Sequence, residues 1–158
     1  MSGVIKYFNK ALEIICIFIF AFIVVVGTYQ IVTRYVFNAP STTSEELLTY
    51  SFTWLALLSA ALVFGRRDHM AMTFLYDRFS ESTARIISII NEILVLLFAA
   101  IVLIYGGISI TRLTATQVTA SLGIPMSYVY FVVPLSGFIT VVYCIINIIN
   151  LASKGGKA

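Results

Sequence analysis

The sequence predicts an all-α membrane protein with four transmembrane helices. Of its 158 residues, 60% are hydrophobic and 11% are charged, whereas soluble domains contain about 25% charged residues. Four apolar stretches each supply roughly the 20 residues of helix that cross a bilayer. No stretch between them is long enough to bury a soluble core, which excludes a separate catalytic domain. We therefore expect a single membrane domain, with spans at about 12–33, 45–65, 84–111 and 125–151.

The positions of the basic residues predict the orientation of the four spans. Only Arg34 and Arg112 lie on the connections after the first and third spans. The other eight lie before the first span, between the second and third, or after the fourth: Lys6, Lys10, Arg66, Arg67, Arg78, Arg85, Lys154 and Lys157. Because cytoplasmic loops are enriched in Lys and Arg, both termini are expected in the cytoplasm. In a membrane protein the positions of these charges matter more than their sum, the net charge of +3, and we expect no nucleic-acid partner.

The first span is expected to be retained as a helix. Its apolar run is longer than the roughly 7 to 15 residues of a signal-peptide core, and no small-residue cleavage site follows it. Glu13 lies one turn after Lys10, where its carboxylate can reach lipid headgroups. Cys16 and Cys144 fall inside the first and fourth spans, and we interpret them as apolar packing residues.

The second span opens with two overlapping capping patterns. Thr42 with Glu45, and Thr43 with Glu46, both match the S/T-x-x-E sequence of a capping box. Small and hydroxylated residues then recur at helical spacing along one face. This stripe consists of Glu45, Thr49, Thr53, Ala56, Ala60, Val63 and Arg67. Since small residues let membrane helices approach closely, the stripe is expected to contact protein and not lipid.

Trp54 and the segment after the second span carry further candidates. Trp54 falls near the middle of the membrane, where its indole N–H needs a partner, and we expect it to pack between helices. The segment between the second and third spans mixes apolar and charged residues, which is consistent with a short helix in the headgroup plane. His69 is the single histidine, so it lacks the companion ligands of a zinc or haem site. It is expected to make a loop or subunit contact.

The third and fourth spans each contain one unusual feature. Glu92 lies two turns inside the membrane from Arg85, where a carboxylate is costly. It is expected either to extend towards the headgroups or to pair with a cation, such as Lys10 or a residue of another subunit. In the fourth span, Pro134 and Gly137 predict a kink in mid-membrane.

The sequence lacks the patterns that indicate catalysis or a cofactor. It has no P-loop, no glycine-rich nucleotide fingerprint and no pair of haem-ligating histidines. A path for ions or polar solutes normally needs polar groups within the membrane, and the span interiors offer little beyond Thr53, Ser59 and Ser109. We therefore expect that the protein is not an enzyme and binds no cofactor. Its polar residues are expected to serve packing and docking.

Several residues, in their order along the chain, carry a family resemblance. They are Arg34, Glu45, Glu46, Leu47, Trp54, Ser59, Ala60, Ala61, Arg66 and His69, followed by Leu122, Gly123, Ile124 and Pro125. In this pattern nearly the whole chain resembles the small, DctQ-like membrane subunit of tripartite ATP-independent periplasmic (TRAP) transporters. The Glu-Glu-Leu start of the second span, with an Arg and a His at these distances, is its most specific part.

The resemblance implies a scaffold role in a sodium-coupled transporter of the bacterial inner membrane. In this family a large subunit carries the substrate and sodium sites, and a periplasmic solute-binding protein delivers an organic acid such as a C4-dicarboxylate or sialic acid. The small subunit is a fixed support beside the moving part. Accordingly, Arg34 is expected to pair with Glu45 or Glu46 or with the large subunit. Arg66 and His69 are expected to anchor the inner face.

The resemblance also implies that the outer connections contact the binding protein. The residues expected to take part in this docking are Asn38, Pro40, Thr42, Thr116 and Gln117. They lie in the connections after the first and third spans, which the charge pattern places outside.

A self-contained transporter or channel is the alternative hypothesis. Such a protein would form a homo-oligomer and use Glu13 or Glu92 for proton coupling. It would need no larger membrane partner, which distinguishes it from the scaffold hypothesis.

Overall fold

The computed structural model describes residues 3–66 and 81–154. Within these ranges it confirms the predicted all-α fold, because four helices are long and apolar enough to cross a membrane. We number them α1, Gly3–Tyr35; α2, Thr42–Arg66; α3, made of Glu81–Phe98, Ala99–Gly106 and Gly107–Leu113; and α4, made of Met126–Tyr130 and Val132–Lys154. His69, Arg67 and the predicted headgroup helix lie outside the described residues, and Arg66 is the last residue of α2.

The four helices pack in an order that differs from their order in the chain. α1 packs on α2, α2 also packs on α4, and α4 packs on α3. α4 is accordingly the most buried of the four spans. We call the end formed by residues 36–41 and 114–125 the connection end, and the opposite one the terminus end. Which end faces the periplasm stays a prediction from the charge pattern.

α2 begins differently from the two predicted capping boxes. The helix starts at Thr42, so both threonines lie inside it. The Ser41 hydroxyl oxygen accepts hydrogen bonds from the backbone N–H of Ser44 at 3.3 Å and from the Ser44 hydroxyl at 3.0 Å. The capping boxes are therefore wrong, because Ser41 supplies the cap one residue earlier. The side chains of Glu45 and Glu46 turn to other partners.

α3 and α4 approach each other closely at two glycines. A Cβ added at Gly107 would lie 2.8 Å from the Cδ of Pro134, and one added at Gly137 would lie 2.7 Å from the Cβ of Leu103. Both distances are shorter than a van der Waals contact, so the helix spacing depends on glycine at these positions. α3 widens into a π-helix at Ala99–Gly106, which includes the contact at Leu103 and ends just before Gly107, a feature that no sequence pattern predicted.

α4 is interrupted at Phe131, closer to the connection end than the predicted kink at Pro134 and Gly137. Proline has no backbone N–H, and its ring crowds the carbonyl of the residue four positions earlier. That residue is Tyr130, where the first part of α4 ends. The break therefore lies one turn before Pro134, and a kink in mid-membrane stays a prediction. Gly137 serves the contact with α3.

Three helices meet at Tyr143 near the terminus end. The Tyr143 hydroxyl donates a hydrogen bond to Oδ1 of Asn9 on α1, and both side chains are buried. Gly65 of α2 lies against the same ring, since a Cβ added there would be 2.5 Å from Cζ of Tyr143. The buried tyrosine thus joins α1, α2 and α4.

Candidate functional site at the connection end

The connection between α3 and α4 folds into a compact turn. Backbone hydrogen bonds join the N–H of Thr119 to the carbonyl of Ile124 at 2.9 Å, and the N–H of Met126 to the carbonyl of Gln117 at 2.8 Å. Gly123 has a φ of +64°, a left-handed conformation that glycine adopts without steric cost. Three successive backbone N–H groups, those of residues 120–122, point from this turn towards α2.

The carboxylate of Glu46 on α2 accepts all three of these groups. Oε1 accepts the N–H of Ala120 at 3.0 Å, and Oε2 accepts those of Ser121 at 2.9 Å and Leu122 at 2.8 Å. Tyr50, one turn further along α2, donates its hydroxyl to Oε1 at 2.9 Å. We call this arrangement the Glu46 clasp.

The Glu46 clasp is a binding site that the protein fills with its own side chain. Hydrogen bonds to an ionised acceptor are shorter and stronger than those between neutral groups. Successive backbone N–H groups also form a concave nest that favours an anion. Because Glu46 occupies this nest, the turn offers no vacant position there for a substrate carboxylate. Its effect is to hold the α3–α4 connection against the start of α2.

A second charged contact at the connection end joins Arg34 of α1 to Glu45 of α2. Arg34 Nη2 lies 3.9 Å from Glu45 Oε2, and the two side chains are 48% and 61% exposed. The pair is one of the pairings expected from the sequence. Exposed ion pairs contribute roughly 0.2–1 kcal/mol, so this pair links α1 and α2 only weakly. A contact of either residue with another subunit stays a prediction.

The predicted stripe on α2 lies on the face that this chain leaves uncovered. Its first four members are exposed and the next two are partly buried: Glu45, Thr49, Thr53 and Ala56, then Ala60 and Val63. The Thr53 hydroxyl donates to the carbonyl of Thr49 at 3.0 Å, so its polarity is satisfied within the helix. The opposite face of α2 carries the buried Leu58 and Leu62. The stripe thus remains available to a partner, and a contact with protein stays a prediction.

The five residues predicted to dock the binding protein are all exposed at the connection end: Asn38, Pro40, Thr42, Thr116 and Gln117. The first three lie at or near the start of α2, and the last two lie beside the turn held by Glu46. The structure therefore brings both predicted docking segments to one end of the bundle.

Trp54 packs within the bundle, in the role predicted for it. Its partly buried side chain lies against a core cluster made of Leu12, Leu58, Leu62, Val132 and Tyr143. It also lines a groove beside Tyr50 at the connection end.

Glu92 does not extend towards the headgroups. Its side chain is only 5% exposed and makes a hydrogen bond with Cys144 of α4. The predicted extension is wrong because the residue lies on the α3 face that packs against α4. The other predicted possibility, a cationic partner, stays a prediction. In the described ranges, no three His, Cys, Asp or Glu side chains are grouped for metal binding.

Comparisons with known proteins assign the chain to a family. The family model "Tripartite ATP-independent periplasmic transporters, DctQ component" matches residues 23–154. The chain belongs to the DctQ family. A putative TRAP transporter small permease protein of Haemophilus influenzae is 29% identical, over 95% of this chain and 92% of its own length. The sialic acid TRAP transporter small permease protein SiaQ of Vibrio cholerae is 31% identical, over 92% and 84%.

Membership of the DctQ family determines the broad class of this protein. The resemblance stated from the sequence is confirmed, and the protein is a membrane subunit of a transporter and not an enzyme. Together with its four apolar helices, this makes it a multi-pass protein of the bacterial inner membrane.

The DctQ resemblance did not reveal the Glu46 clasp. Part of its signal was present, because a glycine and a proline two residues apart, Gly123 and Pro125, mark a turn. Glu46 was also singled out, but as a helix cap. The sequence contained no sign that these two features meet, since 76 positions separate Glu46 from Leu122.

Proposed function

We propose that this DctQ-family chain is the fixed small subunit of a sodium-coupled uptake system for an organic acid. It supports a large membrane subunit that carries out the transport and helps to dock a periplasmic solute-binding protein. The chain itself binds neither substrate nor sodium.

The Glu46 clasp is the observation that carries this proposal. It uses the most strongly hydrogen-bonded carboxylate of the connection end to hold a loop in place. A carboxylate that serves transport must change partners during the cycle, whereas this one is bound to the protein's own backbone. A loop held in this way is suited to contact a partner, because less conformational entropy is lost on binding.

The exposed stripe of α2 supports contact with the large subunit. The helix has a buried face that carries its core residues and an exposed face that carries Thr49, Thr53 and Ala56. Small side chains let a second helix approach closely within a membrane. We therefore place the large subunit against this face.

Sialic acid is the first substrate to test. The Vibrio cholerae relative carries sialic acid in its name, and the resemblance to the family implies a carboxylate in general. The substrate would bind to the large subunit and the binding protein, so the side chains described above do not select it.

Reconstitution tests the proposal directly. The purified chain in proteoliposomes with a sodium gradient is expected to show no uptake of sialic acid or C4-dicarboxylates. Co-expressed with its large subunit, the chain is expected to co-purify with that protein and, with the binding protein added, to support sodium-dependent uptake. Uptake by the chain alone would instead establish the self-contained transporter.

A further inference from the structure

Arg112 at the end of α3 is a cation for which the described part of the chain shows no acidic partner. It is exposed, and no ion pair to it occurs among the described residues, where the recorded pair joins Arg34 to Glu45. The sequence explains why. No Asp or Glu follows Glu92 in the chain, so neither the α3–α4 connection nor α4 can supply a carboxylate.

The two carboxylates at the connection end are already engaged. Glu45 faces Arg34 at 3.9 Å, and Glu46 is held by three backbone N–H groups of the α3–α4 turn. Among the described residues, no further carboxylate at this end is left to pair with Arg112, which points to a negative charge from outside the chain.

Arg112 lies at an apolar groove between α3 and α4. The groove has a volume of about 390 Å³, and its lining consists of Ile108, Thr111, Arg112, Phe131, Pro134, Leu135 and Phe138. The hydroxyl of Thr111 donates to the carbonyl of Gly107 at 2.7 Å. Among the described lining residues, the guanidinium of Arg112 is the only charged group. Phe131 and Phe138 are 51% and 62% exposed, so the groove opens to the surroundings of the bundle.

We infer that this groove is a phospholipid site, in which Arg112 binds the phosphate and the groove between α3 and α4 holds an acyl chain. Arginine binds phosphate through two parallel N–H···O bonds. The groove runs from the last turn of a membrane span towards the bilayer interior, as a headgroup and its chain do. A soluble anion would use the guanidinium but would leave the apolar lining exposed.

The interrupted start of α4 forms one wall of the site. Pro134 packs on Gly107, and the helix break at Phe131 lies beside the groove. The close approach of α3 and α4 thus sets the floor of the groove, and the exposed Phe131 at the break is part of its lining. The site is formed by α3 and α4 alone, so its inference does not rest on the proposed scaffold role.

Lipid titration of the full chain tests the inference. The detergent-purified protein is titrated with dioleoyl phosphatidylglycerol, and bound lipid is counted by native mass spectrometry. Arg112→Gln is expected to weaken the first binding event about tenfold, the equivalent of one lost ion pair of about 1.4 kcal/mol. Dioleoylglycerol, which has the same chains without the phosphate, is expected to bind the wild type as weakly as phosphatidylglycerol binds Arg112→Gln.

Arg34→Gln is the matched control, because it removes the other arginine of the connection end, which has its own carboxylate. It is expected to leave the first binding event unchanged. Ile108→Trp keeps the charge but fills the groove, and is expected to weaken binding as Arg112→Gln does, while Arg112→Lys retains most of it. Equal binding by wild type and Arg112→Gln, or equal losses in Arg112→Gln and Arg34→Gln, would overturn the site. So would unchanged binding in Ile108→Trp, which does not depend on how well Arg112→Gln folds.

Discussion

Glu45 and Glu46 are neighbours in the chain, yet their surroundings differ completely. Glu45 points to an exposed arginine across the surface, whereas Glu46 accepts three backbone N–H groups and a tyrosine hydroxyl. Successive residues of a helix point about 100° apart, so one reaches α1 and the other reaches the turn before α4. The two carboxylates should therefore respond differently to the same substitution.

Glu46→Gln is expected to loosen the α3–α4 connection without unfolding the helices. Glutamine removes the charge and leaves one oxygen in place of two, so the N–H groups of residues 120–122 lose their strong acceptor. Hydrogen–deuterium exchange should rise several-fold at these three amides and stay unchanged in the middle of α2 and α4. The control is Glu45→Gln, for which exchange in the turn should not change. Unaltered protection in Glu46→Gln would show that the turn holds its shape without the carboxylate.

Glu92→Gln is expected to leave assembly and sodium-driven uptake largely intact. The side chain is buried between α3 and α4 and hydrogen-bonded to Cys144. Glutamine preserves its size and hydrogen-bonding capacity. Uptake by the assembled transporter, normalised to the amount of complex, is the measurement, with Glu13→Gln measured alongside. Loss of uptake in a complex that assembles normally would assign an ion-coupling role to Glu92 and revive the alternative hypothesis.

At the scale of helices, the contact between α3 and α4 depends on the absence of two side chains. Gly107 and Gly137 lie on different helices and each faces backbone-proximal atoms of the other helix. Such atoms cannot move aside as the end of a flexible side chain can. The spacing of this helix pair is consequently sensitive to a single methyl group.

Gly137→Ala is expected to destabilise the protein by about 1–3 kcal/mol, the usual cost of overpacking a core. The new methyl group would lie 2.7 Å from the Cβ of Leu103, so α3 and α4 must separate. Gly106→Ala is the control, because its nearest atom, the carbonyl oxygen of Ile101, is 3.8 Å away. Thermal unfolding in detergent should show a lower midpoint for the first variant only. Equal midpoints would mean that the helix pair adjusts at no cost.

At the scale of the whole molecule, α2 and α4 form the centre and α1 and α3 lie at the sides. The packing order α1, α2, α4, α3 leaves one face of α2 uncovered. A lipid-facing surface needs no small residues, whereas a helix interface benefits from them. The stripe therefore provides the clearest candidate surface for the large subunit.

Ala56→Trp is expected to reduce co-purification of the large subunit, because a bulky ring at an exposed small position keeps a second helix away. Glu45→Lys at the start of the same stripe should weaken assembly too. Ile101→Trp changes an exposed position of α3 and serves as the control for bulk on another surface. The measurement is the ratio of the two subunits after affinity purification through the small one. Ratios unaffected by Ala56→Trp and Glu45→Lys would place the interface elsewhere.

The orientation in the membrane gives a further prediction for the whole molecule. Thr116→Cys places a thiol at the exposed connection end, which the charge pattern assigns to the periplasm. A membrane-impermeant maleimide should label it in intact spheroplasts. Lys157→Cys lies near the C-terminus, which the charge pattern assigns to the cytoplasm, and it should react only after the membrane is permeabilised. The reverse pattern of labelling would invert the orientation.

The sequence by itself determined that the chain folds in a membrane, how many spans it has and to which family it belongs. Those properties depend on composition, on apolar runs of about 20 residues and on a few residues at characteristic distances, all of which are local or additive. It also identified the right candidates for the Arg34–Glu45 pair and for the packing of Trp54.

Only the tertiary structure decided which groups meet. The hydrogen bonds from residues 120–122 to Glu46, the burial of Glu92 against Cys144 and the placement of Arg112 beside its groove all depend on α4 lying between α2 and α3. Helical periodicity states which residues share a face but not which helix covers that face. In a bilayer this choice is made by close packing and by the satisfaction of buried polar groups, and both involve residues far apart in the chain.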